Sequence, residues 1–496
     1  MAGVQPGFAW KLCALLGAVS LLPGCAVGPD YVRPETLPDA GYAPETITLS
    51  KAGPGEAQQF LKPAEEVSDQ WWELFRSQQL SETLALAIKA SPTLDIARAN
   101  LAQARQAVAA ARGVLYPQAD AGASAAREEL SIGALGGAPQ FIGHLYAVGA
   151  TVSYGPDVFG GVRRQIERES ALAEVQRYEL AAAYLTLTGN AVIEAINIAA
   201  AHEQMDAVKS IIEIDRNNLE LVRIEHDAGK ASAVDVLVAR SQLAADRALM
   251  PSLEQQLSVA NHALTVLVGK TPAQWQPPKF DLDALSLPTD LPVSLPAEFV
   301  RHRPDILASE AQLHAASAAI GVATAKLYPS LALSASWTHV TGSPELLFLQ
   351  PSEPWGIAAN LTAPLFHGGT LEAEKRAAIA AYSSAFGTYR LTVLQAFGQV
   401  ADTLRALEHD ASALNAQQEA MYTARASFEL SQAGYKAGQA SFLDVIVARR
   451  LYEQARIGYA KARGQRYLDT AQLFEAMGGG WRQWKDPAVG ASDSAK

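Results

Sequence analysis

The chain has 496 residues and a formal net charge of −11, so it lacks the basic footprint that phosphate backbones demand, and no nucleic-acid partner is expected. Its 49% hydrophobic and 18% charged content excludes wholesale disorder. The apolar share is rich in Ala with only 7% aromatics, which suits long, close-packed helices better than a globular enzyme core; both cysteines, Cys13 and Cys25, lie near the N-terminus, leaving no Cys-based metal site or disulfide framework downstream.

Residues 1–24 come first. A short stretch with a single Lys leads into the apolar run Leu12 to Leu22, too short for a helical bilayer span of about 20 residues. It reads as a secretory signal peptide. The segment Leu21-Leu22-Pro23-Gly24-Cys25 resembles a bacterial lipoprotein lipobox, which implies cleavage before Cys25 and acylation of that residue. Several acyl chains on one residue would anchor the chain stably. Ala26, where an Asp would signal retention, goes with outer-membrane sorting. Downstream no stretch approaches 18 uninterrupted apolar residues, so any membrane-crossing part must be a closed β-barrel.

The remainder is written twice. Residues 91–125 align without a gap on 303–337 with 11 of 35 positions identical, and 228–240 fall on 437–449 with 9 of 13 identical. Pro156, Gly160 and Gly161 correspond to Pro364, Gly368 and Gly369. Nearly constant offsets mean an internal duplication. The predicted layout is a lipidated segment over 25–80, a first repeat over 81–290, a second over 291–477 and a tail over 478–496. The Pro-rich stretch Thr271 to Pro296 joins the halves.

Within each repeat a helix ends at Leu-Tyr-Pro (Pro117, Pro329), because Pro disfavours helix in the residue before it. Alternating runs follow: Ala119, Ala121 and Ala123 in the first, Leu331, Leu333, Ala335 and Trp337 in the second. Loops over 130–144 and 341–354 lead to further alternation over 146–154 and 355–366. These predict hairpins over 117–156 and 329–366, with strands of roughly 8 to 11 residues, the length a tilted strand needs in a bilayer.

After each Gly pair the period changes to 3.5. Val393, Phe397, Val400, Leu404, Leu407, Ala411 and Leu414 step by 4 and 3; Ala207, Ile211, Ile214 and Leu221 do so with Asn218 interrupting. Sustained heptads predict supercoiled helices over 162–226 and 370–435. At about 1.5 Å per residue each spans close to 100 Å, too long for a compact domain. Gly229 and Gly438 are placed as left-handed C-caps. Ser232 with Asp235, and Ser441 with Asp444, read as capping boxes opening return helices over 232–268 and 441–477.

Four strands cannot close a barrel, and open edges in lipid leave polar groups unpaired. Two copies would supply about eight strands and three about twelve, and the spacing does not choose between them.

At this point the chain resembles the TolC/OprM-type outer-membrane factors, in their NodT-like lipoprotein branch. The matching pieces are Cys25-Ala-Val-Gly-Pro-Asp-Tyr31 with Pro34, Trp71-Trp72-Glu73-Leu74-Phe75 with Leu80, and Leu295-Pro-Ala-Glu298 with Arg301-His-Arg-Pro-Asp305. Leu361-Thr-Ala-Pro-Leu-Phe-His-Gly-Gly369 and Met477-Gly-Gly-Gly-Trp481 complete the set. The resemblance implies a mainly α fold with a β-barrel portion: a homotrimer whose coiled-coil-like helices form a periplasmic α-barrel and whose four strands per chain complete a 12-stranded barrel. It implies the exit duct of a tripartite efflux pump for drugs or toxic compounds. Such a duct is passive, sits in the outer membrane, extends into the periplasm, and is joined to an RND-type inner-membrane pump through a periplasmic adaptor. A type I protein-secretion duct and a pore-less envelope-spanning lipoprotein are the alternatives.

The resemblance also makes Tyr435, Gly438 and Asp444 match the tip motif where family members constrict the channel. Asp235 and Asp444 would there form a ring of carboxylates; alternatively each only caps its own helix. A second acidic position found in some relatives is Val238 and Val447 here, so Arg240, Arg449 or Arg450 would contribute instead. Gly229 and Lys230, with Gly438 and Gln439, are candidates for adaptor docking, or plain turns. The nine histidines lack metal-ligand spacing, and Leu264 stands where a phosphate loop ending at Gly269-Lys270-Thr271 needs Gly. No catalytic residue, metal or cofactor is expected. Trp71 and Trp72 are expected to pack in a belt around the middle of the channel.

Overall fold

The computed structural model describes residues 26–35, 42, 49, 53–65, 67–130, 141–294, 296–347, 355–484 and 486. The signal peptide, Cys25 and most of the expected tail lie outside these. The chain runs β1 (Phe60–Pro63), α1 (Gln78–Ala90), α2 (Pro92–Gly113), β2 (Gln118–Leu130), β3 (Phe141–Tyr154), α3 (Gly161–Asp227), α4 (Ala233–Arg247) and α5 (Met250–Leu267). It continues through β4 (Asp290–Val293), α6 (Pro304–Ala325), β5 (Ser330–Thr341), β6 (Trp355–Thr362), α7 (Thr370–Lys436) and α8 (Phe442–Ala476). Two compact units result, and neither coincides with a repeat. One holds the chain up to Arg33 with Leu101–Val175 and Ser309–Tyr389; the other holds Pro34–Asn100, Gln176–Ala308 and Arg390–Lys496.

In the first unit the two hairpins form one antiparallel sheet of order β2-β3-β5-β6. The added pairing is β3 on β5, with Ala150 opposite Trp337. β2, β3 and β5 run 13, 14 and 12 residues, longer than the spacing predicts, because backbone pairing continues past the alternating run through polar residues such as Arg127, Glu128 and Glu129. Residues 26–33 lie against this unit as a strap. The buried Arg164 of α3 donates to the carbonyls of Val27 (3.2 Å) and Gly28 (3.3 Å) and pairs with Asp30 at 2.7 Å. Gly28 has φ +95° and rests on the Gly321 backbone, where a Cβ would collide. Tyr31 stacks on His314 with ring centroids 4.3 Å apart, and Arg33 pairs with Glu310 at 2.6 Å.

In the second unit α7 buries Val393, Val400, Leu404, Leu407, Ala411 and Leu414 of the stripe its heptads predict, with Phe397 half-buried. The stripe on α3 keeps the predicted Ala207 and Ile211 buried and then changes phase. Val208, Ile211, Asp215, Leu219 and Val222 are buried, while Leu221 is exposed. A one-residue change in heptad phase thus turns Leu221 outward and places a carboxylate in the seam. The expected single return helix over 232–268 is interrupted between α4 and α5, where Pro251 stands in the first turn of α5 and cannot donate to the preceding turn. β1 and β4 pair in parallel, Phe60 opposite Asp290, which ties the N-terminal segment to the joint between the repeats. Behind them the buried Gln59 accepts from Arg466 Nε at 3.1 Å and donates to Thr470 at 2.9 Å. Trp71 and Trp72 are buried in this unit, Trp71 stacking on Phe474 at 5.2 Å, which is a packing role.

Candidate functional site

The sheet has two chemically different faces. Successive side chains point to opposite sides, and residues opposite each other in register share a side. One side carries Ala119, Ala121 and Ala123 of β2 with Val148, Ala150 and Val152 of β3. It continues with Leu331, Leu333 and Trp337 of β5 and with Trp355, Ile357, Ala359 and Leu361 of β6. The other side carries Asp120, Gly122 and Ser124, then Ala147, Gly149, Thr151 and Ser153, then Ser334, Ser336 and Thr338, then Ala358 and Asn360. Ile142, Val152, Trp337, Trp355, Ile357 and Leu361 are exposed, so the apolar side is uncovered in the single chain. An apolar face backed by a small, polar one is the pattern of a barrel wall between lipid and an aqueous lumen. At about 3.4 Å per residue, β3 reaches about 48 Å, enough to cross a core of about 30 Å at a tilt of about 45°.

The helix turns in the second unit are two copies of one motif. Gly229 and Gly438 have φ +75° and +73°. The Lys230 N–H reaches back to Glu225 O (2.7 Å) and the Gln439 N–H to Gly434 O (2.8 Å), closing each long helix with a left-handed cap. Asp235 Oδ2 accepts from the Ser232 N–H (2.8 Å) and hydroxyl (2.7 Å), and Asp444 Oδ2 from the Ser441 N–H (2.9 Å) and hydroxyl (2.7 Å). These bonds from serine hold both carboxyls below the usual range, so both stay ionised. Capping uses one oxygen of each Asp. Around the turns Val234, Leu237, Leu443, Val447 and Leu451 are exposed apolar side chains.

Tyr435 links the two long helices near these turns. Its hydroxyl donates to Glu225 Oε2 at 2.6 Å, and that bond, with burial, pushes the phenol up to about 12. Its ring packs beside Phe442 at 5.7 Å. Arg449 is not at the surface of the turns. It is buried between helices, with Nη2 2.5 Å from Asp215 Oδ1 and Nε 3.0 Å from Glu453 Oε1. Glu225, Asp215 and Glu453 were not singled out from the sequence. The one sequence signal was Asp215 standing directly beside Ile214 of the predicted α3 heptad.

A two-faced membrane sheet joined to duplicated long-helix hairpins defines a class of channel wall. The chain belongs to the outer membrane efflux protein family, as an outer-membrane factor of the TolC/OprM type, and the family's signature matches residues 83–270 and 295–479, one stretch per repeat. It is 30% identical over 451 residues to the pyoverdine export outer membrane protein OpmQ of Pseudomonas aeruginosa, covering 89% of this chain and 94% of that one. It is 29% identical over 479 residues to the toluene efflux pump outer membrane protein TtgF of Pseudomonas putida, covering 93% and 95%. The outer-membrane channel OprN superposes with a TM-score of 0.83 at 25% identity, covering 92% of this chain and all of that structure. The family and these relatives are outer-membrane channel and transport proteins, not enzymes, and the chain is an efflux protein of the outer membrane.

Proposed function

We propose that three copies of the chain pool their strands into one 12-stranded barrel and form the passive exit duct of a tripartite efflux pump for small molecules. The observation that carries this is the sheet: β2 and β6 are its open edges, and its apolar face is uncovered in the single chain. Edges left open in lipid would expose unpaired backbone groups, each costing several kcal/mol, so neighbouring copies must complete the wall. The stoichiometry of three follows the family resemblance. Acylated Cys25, directly ahead of the strap that Arg164 holds, anchors the chain to the membrane.

In this reading the two helix turns constrict the periplasmic entrance. Asp235 and Asp444 present ionised carboxylates there, and the Tyr435–Glu225 bond holds the turns together. The exposed Gly229-Lys230 and Gly438-Gln439 turns, flanked by the uncovered Leu237 and Leu443, receive the adaptor of an RND-type pump. Relatives named for pyoverdine export and toluene efflux support a small-molecule cargo.

The test is reconstitution. Purified protein should have a detergent-corrected mass of three chains and give stepwise conductance in planar bilayers that rises on Asp444→Ala. A folded monomer or dimer, or silence from both forms, refutes the proposal.

A further inference from the structure

Three carboxylates meet inside the helical unit, separate from the two turns. Asp215 comes from the buried stripe of α3, Asp246 from the last turn of α4 and Glu453 from α8, each with an oxygen within 4.8 Å of the others. All three are more than nine-tenths buried, at 1%, 7% and 5% exposure. Among the described residues a single cation faces them, Arg449, which spans Asp215 and Glu453. Gln242 Nε2 donates to Asp246 at 3.0 Å. With all three ionised, three carboxylates against one guanidinium leave two negative charges in a buried setting, where unpaired charge is strongly unfavourable. Asp215 Oδ2 has no hydrogen-bond partner. Its neighbour Asp246 offers only further acceptors, and ionised carboxylates cannot hydrogen-bond to each other.

We propose that Asp215, Asp246 and Glu453 form a buried site for one hard divalent cation, of the calcium, magnesium or manganese class. The donor set is all oxygen, which suits those ions over zinc or copper. A charge of two cancels what Arg449 leaves over. A cation there fastens α4 and α8, the two returning helices, onto the outgoing α3, and so stiffens the base from which the turns project. Protons shared among the carboxylates are the competing solution.

The probe is Mn²⁺, added to full-length protein in detergent after EDTA treatment and desalting. Electron paramagnetic resonance and elemental analysis should find one tightly held Mn²⁺ per chain, displaced by Ca²⁺ or Mg²⁺. Binding should vanish in Asp215→Asn/Glu453→Gln and in the milder Asp246→Asn, and persist in Asp235→Asn/Asp444→Asn, which removes only exposed carboxylates. Divalent ion should also raise the thermal midpoint of helix loss in the unaltered protein by several degrees. The proposal is overturned if the unaltered protein holds no Mn²⁺, or if binding follows the exposed pair. A thermal midpoint that tracks pH but ignores added cation likewise assigns the cluster to protons.

Discussion

Neighbouring alanines in β6 offer a direct test of which face meets lipid. Ala358 and Ala359 are both exposed in the single chain and lie in the middle of an eight-residue strand, but on opposite sides of the sheet. Ala359 pairs with Leu333 and has Ile357 and Leu361 two residues either way on the apolar side; Ala358 pairs with Ser334 and has Gly356 and Asn360 as its counterparts. Lysine at mid-depth on a lipid-facing position costs about 2–4 kcal/mol per chain, whereas a lumen-facing position leaves its ammonium in water, where a surface substitution changes stability by about 0.5 kcal/mol. Ala359→Lys should therefore lower the folding equilibrium by at least about 30-fold per chain, and Ala358→Lys by less than about 5-fold. Urea unfolding from phospholipid vesicles, followed by tryptophan fluorescence, reads the difference, with Trp337 and Trp355 as reporters on the sheet itself. Equal losses, or a larger loss from Ala358→Lys, would refute the assignment of faces and with it the barrel.

Three further outcomes follow from particular contacts. Tyr435→Phe removes the hydroxyl that bonds Glu225 but keeps the ring beside Phe442; the loss of about 1 kcal/mol should raise single-channel open time while leaving oligomer mass unchanged. Asp410, raised by burial and by its neighbour Asp469, holds its proton more tightly folded than unfolded. Stability from this group is therefore full below the ordinary carboxylate range and falls as pH climbs towards the raised value; Asp410→Asn should flatten that fall in chemical denaturation curves taken across pH. Arg164→Ala deletes the donors that grip Val27 and Gly28 and leaves Glu167 without its 2.7 Å partner, so residues 26–33 should become cleavable in limited proteolysis. A strap that stays protected would show that Tyr31 and Arg33 suffice to hold it.

Much of the candidate site was legible locally. Leu331, Leu333, Ala335 and Trp337 mark one face by their spacing alone, since side chains of a strand alternate. Ser232 with Asp235 and Ser441 with Asp444 announce helix starts, and Gly229 and Gly438 announce left-handed ends, because each device depends only on residues within one turn. The duplication likewise lies in plain identity between the halves.

Pairings across long separations were decided by the tertiary structure. The joining of β3 to β5, which makes two hairpins one wall, depends on both repeats meeting. So does the parallel pairing of Phe60–Pro63 with Asp290–Val293, more than two hundred residues apart. The phase of α3 was set the same way: period fixes that a stripe exists, but which residues fill it depends on the helices packed against it. That choice turned Leu221 out, drew Asp215 in and gave Arg449 its buried partners. Local sequence writes the faces and the stops; contact between distant segments decides what each face covers.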